Sequence, residues 1–176
     1  MIGRQAKVLT PGDLRRLVSL TRKGRFPERD RVMVLLAVRA GLRAREIAKL
    51  SWGMVLDANG RIASMIEVRD SIAKRGSGRR VPMHPELNKA LLELWHCQSA
   101  NSTQPDAEIV RSLKGGGLRA NSVVNWFITL CRAAKLQGCK CWPVTAPSKP
   151  PKATSTATPT LNAASCTSFD PFRNIP

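Results

Sequence analysis

No tyrosine occurs in the 176 residues, so this polypeptide can supply no phenolic nucleophile. Acidic residues are scarce: Asp and Glu number 12 against 29 Lys and Arg, a formal net charge of +17. An excess of that size calls for a polyanion or a membrane surface as partner. No apolar run approaches the length of a transmembrane span, and the opening MIGRQAKVLT lacks a signal-peptide core. Nucleic acid is therefore the leading partner, with no membrane role expected. Aromatic residues make up only 5% of the chain, which weighs against the stacking platforms of single-strand binders. The five cysteines (Cys97, Cys131, Cys139, Cys141 and Cys166) are odd in number and contain no CxxC pair. They fit reduced thiols in a cytoplasm better than a disulfide scaffold. Cys139 and Cys141 have no second ligand pair at zinc spacing, so no metal site is expected.

What is present reads as one domain with an appendage. In LTPGDLRRLVSL, Thr10 caps a helix, Pro11 takes its first position, and Leu14, Leu17 and Val18 form its apolar face. Gly24 to Pro27 breaks it. A second helix turns Val32, Leu35, Leu36 and Val38 inward and ends near Gly41. RAREIAKLSW makes a third, with Ile47 and Leu50 apolar and Arg43, Arg45 and Lys49 facing solvent or ligand. The period then changes. Apolar residues around Ile62, Met65, Ile66, Val68 and Ile72 lead across a Gly-Ser-Gly turn to Val81, which predicts a small antiparallel sheet ending in a basic β-hairpin. Pro85 opens another helix, with Leu87, Leu91, Leu92 and Trp95 on one face. CQSANSTQPDAEIV reads as a polar loop. Asn121 or Ser122 then caps a last helix whose core face is Val124, Phe127, Ile128 and Cys131.

The fold class expected is thus α+β, mainly helical. Residues 1–142 form the domain, and residues 143–176 are a low-complexity tail. That tail is rich in Pro, Thr, Ser and Ala, without helical or strand period, and is expected to be disordered.

Two stretches, AGLRAREIAKLSW and AKRGSGRRVPMHPEL, resemble the catalytic domain of the tyrosine recombinases, the phage-integrase and Xer-type family. The likeness runs from about Leu9 to Cys139, and LRANSVVNWF is similar to the segment before that family's second catalytic box. The resemblance implies double-stranded DNA as partner, other recombinase subunits as associates, a bacterial nucleoid setting, and no metal or small-molecule cofactor. In the family a tyrosine attacks a phosphodiester while two arginines and a histidine or tryptophan neutralise the transition state, and a hairpin lysine protonates the leaving oxygen. Fixed cations where charge develops, with an acid beside a poor leaving group, make physical sense of that set. Carried over, Arg43 is the first catalytic arginine, able to take two phosphate oxygens at once. Glu46 orients it, and Lys74 is the leaving-group acid. Arg75, Arg79 and Arg80 grip phosphates without reading sequence, and Arg45, Lys49, Arg119 and Asn121 extend the DNA-binding surface.

Plainer readings stand beside these. Arg43 with Glu46 is also an ordinary exposed helical pair, worth a few tenths of a kcal/mol. Lys74 is also one more cation on a basic hairpin. His84 reads as a helix-start residue, His96 as a partly buried helix-end residue, and Trp52, Trp95 and Trp126 as core.

The family's second half is due after Gly138-Cys139, and neither its His-x-x-Arg box nor its tyrosine is there. Cys166 and Ser165 have no surrounding box that would make either a substitute nucleophile. Strand transfer by the family mechanism is therefore not expected. In a shifted reading frame, the codons from Cys139 onward permit Leu-x-Gly-His, then Thr-Thr, then Tyr at the third box's spacing. This leads to the expectation of an internal deletion joined out of frame, and a tyrosine codon in that frame near Ala153-Thr154 would mark it. The family's N-terminal clamp domain is also expected to be absent. Val124, Phe127 and Ile128 are expected to lack packing partners. The functional alternatives are a non-catalytic basic DNA-binding module, acting as a decoy or regulator, and a general nucleic-acid binder.

Overall fold

A computed structural model describes residues 9–73, 76–98 and 103–136. Among these residues, five α-helices and two strands follow in the order α1 (Pro11–Thr21), α2 (Pro27–Val38), α3 (Ala44–Lys49), β1 (Met65–Val68), β2 (Arg79–Pro82), α4 (Pro85–Cys97) and α5 (Ala120–Ala133). A single 3-10 turn, Trp52–Met54, separates α3 from β1. The fold is mainly helical with a two-stranded antiparallel sheet, as the change of period predicts. The tail from residue 143 and the cysteines Cys139, Cys141 and Cys166 lie outside the described residues.

Helix α1 begins on a capping box. The Asp13 N–H donates to Thr10 Oγ1 at 3.1 Å, and the Thr10 N–H donates to Asp13 Oδ2 at 3.1 Å. Helix α2 is the centre of the molecule. Val32, Met33, Val34, Leu35 and Leu36 are all fully buried, so the helix has no solvent face along that run. Helices α1, α3 and α4 pack around it, and α5 packs on α3 and α1. Each of those five side chains contributes roughly 1.5–3 kcal/mol by burial, which makes α2 the main apolar anchor of the domain. Val38, expected inward, is only half-buried.

The turn from α2 to α3 depends on Gly41, whose φ of +62° is left-handed and disfavours any side chain. The reversal buries Leu42 and delivers Arg43 to the start of α3, exposed. The Gly-Leu-Arg sequence is therefore a turn, a core anchor and a presented cation.

Strands β1 and β2 pair in the register Met65 to Pro82, Ile66 to Val81, Glu67 to Arg80 and Val68 to Arg79. Ile66 and Val68 point into the core, whereas Met65 is 37% exposed. Ile62 and Ile72 lie outside the sheet, Ile62 in an isolated bridge to Leu56. The connection between the strands is longer than the expected Gly-Ser-Gly turn. It leaves β1 at Arg69 and is closed at its root by Gly78, whose N–H donates to Asp70 Oδ1 at 2.6 Å. A Cβ at position 78 would stand 2.8 Å from the Val68 carbonyl oxygen, so only glycine permits this approach.

Several expected core positions shift. On α4 the buried residues are Leu87, Ala90, Leu91 and Leu94; Leu92 is 41% exposed and Trp95 half-buried. His84 caps this helix, its Nδ1 accepting from the Glu86 N–H at 3.2 Å, and His96 is exposed rather than partly buried. Helix α5 starts at Ala120 with Arg119 as its N-cap and buries Val123, Phe127 and Leu130. Asn121 and Ser122 fall inside the helix, so neither caps it. Val124 and Cys131 are half-buried, and Ile128 is 39% exposed. The buried face is therefore rotated toward Val123, Phe127 and Leu130 in a helix that packs on α3 and α1. Phe127 thus has its packing partners, and the expected exposure holds only for Ile128.

The stretch expected to be a polar loop contains two core anchors, Ile109 and Val110, both fully buried. It lies along the segment after α3: the Ile109 N–H donates to the Leu50 carbonyl at 2.9 Å, and the Trp52 N–H to the Ala107 carbonyl at 3.1 Å. Trp52 is buried edge-on against Trp95 with ring centroids 4.7 Å apart. Trp126 is half-buried and packs edge-on against Phe127.

Candidate nucleic-acid interface

Arg43, Glu46 and Arg79 meet in one cluster at the start of α3. Arg43 is the helix N-cap, and its backbone N–H donates to Glu46 Oε2 at 2.8 Å. Its side-chain Nη1 reaches Glu46 Oε1 at 3.3 Å. Arg79 approaches from β2 and donates Nη1 to Oε1 and Nη2 to Oε2, both at 2.9 Å. The Glu46 side chain is 1% exposed, that of Arg43 48%. The cluster is thus a sunken carboxylate behind an accessible guanidinium. Two arginines against one glutamate leave it net positive.

Burial alone would push the Glu46 carboxyl up. The hydrogen bonds from Arg79 and from the Arg43 N–H, with both guanidinium charges, outweigh that and hold it below the usual carboxylate range. Its hydrogen bond to Glu46 in turn raises Arg79 above the ordinary guanidinium value.

The other basic residues expected at the interface divide into paired and unpaired cations. Lys49 Nζ lies 3.4 Å from Glu108 Oε1. Arg80 Nη2 lies 2.8 Å from Glu67 Oε1, its cross-strand neighbour. Arg45 and Arg119 are exposed and form no salt bridge among the described residues. Asn121 is exposed in the first turn of α5. Arg119 and Asn121 take no part in the Arg43 cluster. Lys74 and Arg75 lie outside the described residues.

A shallow groove at the root of the β1–β2 connection is lined by Glu67, Arg69, Asp70, Gly78, Arg79 and Arg80. Arg69 is exposed there and is not among the residues singled out from sequence. Its signal was a cation directly following the buried Val68. Among the described residues, no group of three or more His, Cys, Asp or Glu is placed to hold a metal ion. No described helix is long and apolar enough to cross a membrane. Chemically, the arrangement offers fixed positive charge and directed N–H donors suited to phosphate oxygens.

The architecture belongs to a recognised class. The chain superposes on the crystal structure of XerA recombinase with a TM-score of 0.59 at 20% identity, a likeness of fold. The match covers 77% of this chain and 46% of that one, so the chain spans less than half the length of that recombinase. The model of the phage integrase family matches residues 7–145, and the chain belongs to that family. No curated protein matches it.

Proposed function

We propose that the chain is a DNA-binding member of the integrase family that holds a duplex phosphate at Arg43 and does not cut it. The observation that carries this reading is the half-exposed Arg43 guanidinium set before the sunken Glu46 carboxylate. The family's chemistry supports roles for the remaining residues. Lys74 stands for the acid that protonates the leaving oxygen, and Arg45, Lys49, Arg75, Arg80, Arg119 and Asn121 hold the flanking backbone. Strand cleavage would need an attacking oxygen to displace the 5′-oxygen from phosphorus, with the phosphate then carried on the protein. Residues 1–176 contain no tyrosine to make that bond. The phosphodiester at Arg43 therefore stays intact, and the chain acts as an occupant of recombination sites.

Binding to duplex DNA across a salt series tests the first part. A log–log slope of several units is expected, about 0.9 per phosphate contact; a flat response would remove DNA as the partner. A nicked suicide substrate tests the second part. No covalent protein–DNA adduct should accumulate, and its appearance would overturn the inactive reading.

A further inference from the structure

Arg79 is expected from the sequence to lie on DNA phosphate, yet its guanidinium is already engaged. Both its terminal nitrogens lie 2.9 Å from the two oxygens of Glu46. The same carboxylate accepts the Arg43 backbone N–H at 2.8 Å and Arg43 Nη1 at 3.3 Å. Four donors fill about what a carboxylate can accept. The sharing is unequal. The two-pronged mode is the strong one between guanidinium and carboxylate, and one arginine uses it at a time. Arg79 has it, so the Arg43 side chain keeps a single longer bond and its other donors.

We propose that Arg79 is a positioning residue: by occupying Glu46 it leaves Arg43 free to clasp a phosphate, and it ties the root of the β1–β2 connection to the start of α3. The inference rests on the DNA-binding reading above. Arg79 pairs with Val68 at the end of the sheet nearest that connection. Its neighbour Gly78 is held on Asp70. The root of the connection is therefore fixed to β1 on one side and to Glu46 on the other. Without Arg79, the Glu46 carboxylate turns its second oxygen to Arg43 and draws that guanidinium away from DNA. Arg79 thus acts on phosphate through another residue.

The test uses the full chain and duplex DNA, with anisotropy read over a salt series and thermal melts alongside. Arg79→Ala and Arg79→Lys are compared alone and in an Arg43→Ala background. Each Arg79 variant is expected to lose affinity on the order of tenfold and about one unit of salt slope. Neither should lose more once Arg43 is alanine, because both changes remove the same contact. Lysine keeps the charge but not the fork, so its failure to rescue binding marks positioning. If Arg79 itself holds a phosphate, lysine restores most of the affinity and alanine costs as much in the Arg43→Ala background. Either result overturns the inference and leaves the DNA-binding reading intact. Should Arg79→Ala fail to fold, the lysine variant carries the same comparison with the charge beside Glu46 retained. Unchanged binding by Arg43→Ala would overturn the phosphate contact at Arg43, and this inference with it, while leaving DNA as the partner.

Discussion

Two buried carboxylates, each beside arginine, are shifted in opposite directions from their ordinary values. Asp30 on α2 is 6% exposed, and Glu46 on α3 is 1% exposed. Burial raises the Asp30 carboxyl above its ordinary value, and the charge and hydrogen bonds of Arg29, with a hydrogen bond from the Trp126 side chain, only partly offset it. Arg29 delivers Nε at 2.9 Å and Nη2 at 2.6 Å to the same oxygen, Oδ1. Its Nη1 is spent on the Arg111 carbonyl at 3.0 Å, and its guanidinium lies over the Phe26 ring. Glu46 has donors on both oxygens from two arginines and a backbone N–H, and its carboxyl is lowered. An arginine neighbour does not by itself fix the direction of the shift: burial prevails at Asp30, whereas at Glu46 the hydrogen bonds and charges of two arginines with a backbone N–H prevail. The Asp30 cluster ties the start of α2 to α5 and to the loop at Arg111. The Glu46 cluster presents a cation.

The sharpest way to break this contrast is Glu46→Ala. It leaves Arg79 facing a cavity and removes the bond to the Arg43 N–H. A loss of about 3 kcal/mol is expected in urea unfolding, near the low end for a broken buried pair, because Arg79 is 34% exposed and relaxes toward water.

Titration of stability sharpens the contrast with neutral isosteres. The lowered Glu46 carboxyl contributes stability that is present above its unfolded value of 4.5 and lost as pH falls through its folded value. Glu46→Gln should therefore be most harmful near neutrality, with the gap to wild type closing in acid. The raised Asp30 carboxyl contributes stability present below 3.8 and lost as pH rises through its folded value. Asp30→Asn should gain on wild type as pH rises, the reverse of the trend at Glu46. Denaturant midpoints of the three proteins between acid and neutral pH decide the matter. Slopes of the same sign for both variants would show that the two sites do not differ.

The smallest effect is expected at the surface pair of Arg80 and Glu67, whose side chains are 72% and 50% exposed. Glu67→Ala should change stability by less than about 0.5 kcal/mol, and it frees Arg80 for phosphate. Tighter DNA binding at unchanged melting temperature is the expected outcome; weaker binding would place Glu67 in a supporting role instead.

Local signals in the chain were strong wherever one residue's chemistry settles one position. Thr10 and Pro11 start α1, His84 and Pro85 start α4, and Gly41 turns α2 into α3, each through its own cap or backbone preference. Periodicity did less well where an apolar stripe is wide. In α5 it offers Val123, Val124, Phe127, Ile128, Leu130 and Cys131, and the positions of α3 and α1 choose which of these are covered. Ile109 and Val110 sit in a polar run without helical or strand period, so their burial depends on hydrogen bonds to Leu50 and Trp52 far earlier in the chain.

By itself, the sequence determined the family, the order of the elements, the large positive charge, the absence of tyrosine and the presentation of Arg43 by a glycine turn. These follow from composition and from short-range backbone chemistry. Only the tertiary structure decided that Glu46 faces Arg79 across 33 residues of chain. It likewise decided that Lys49 and Arg80 are paired while Arg45 and Arg119 form no salt bridge among the described residues. Which carboxylate reaches which cation depends on how α3 and the sheet are brought together, and no local preference encodes that distance.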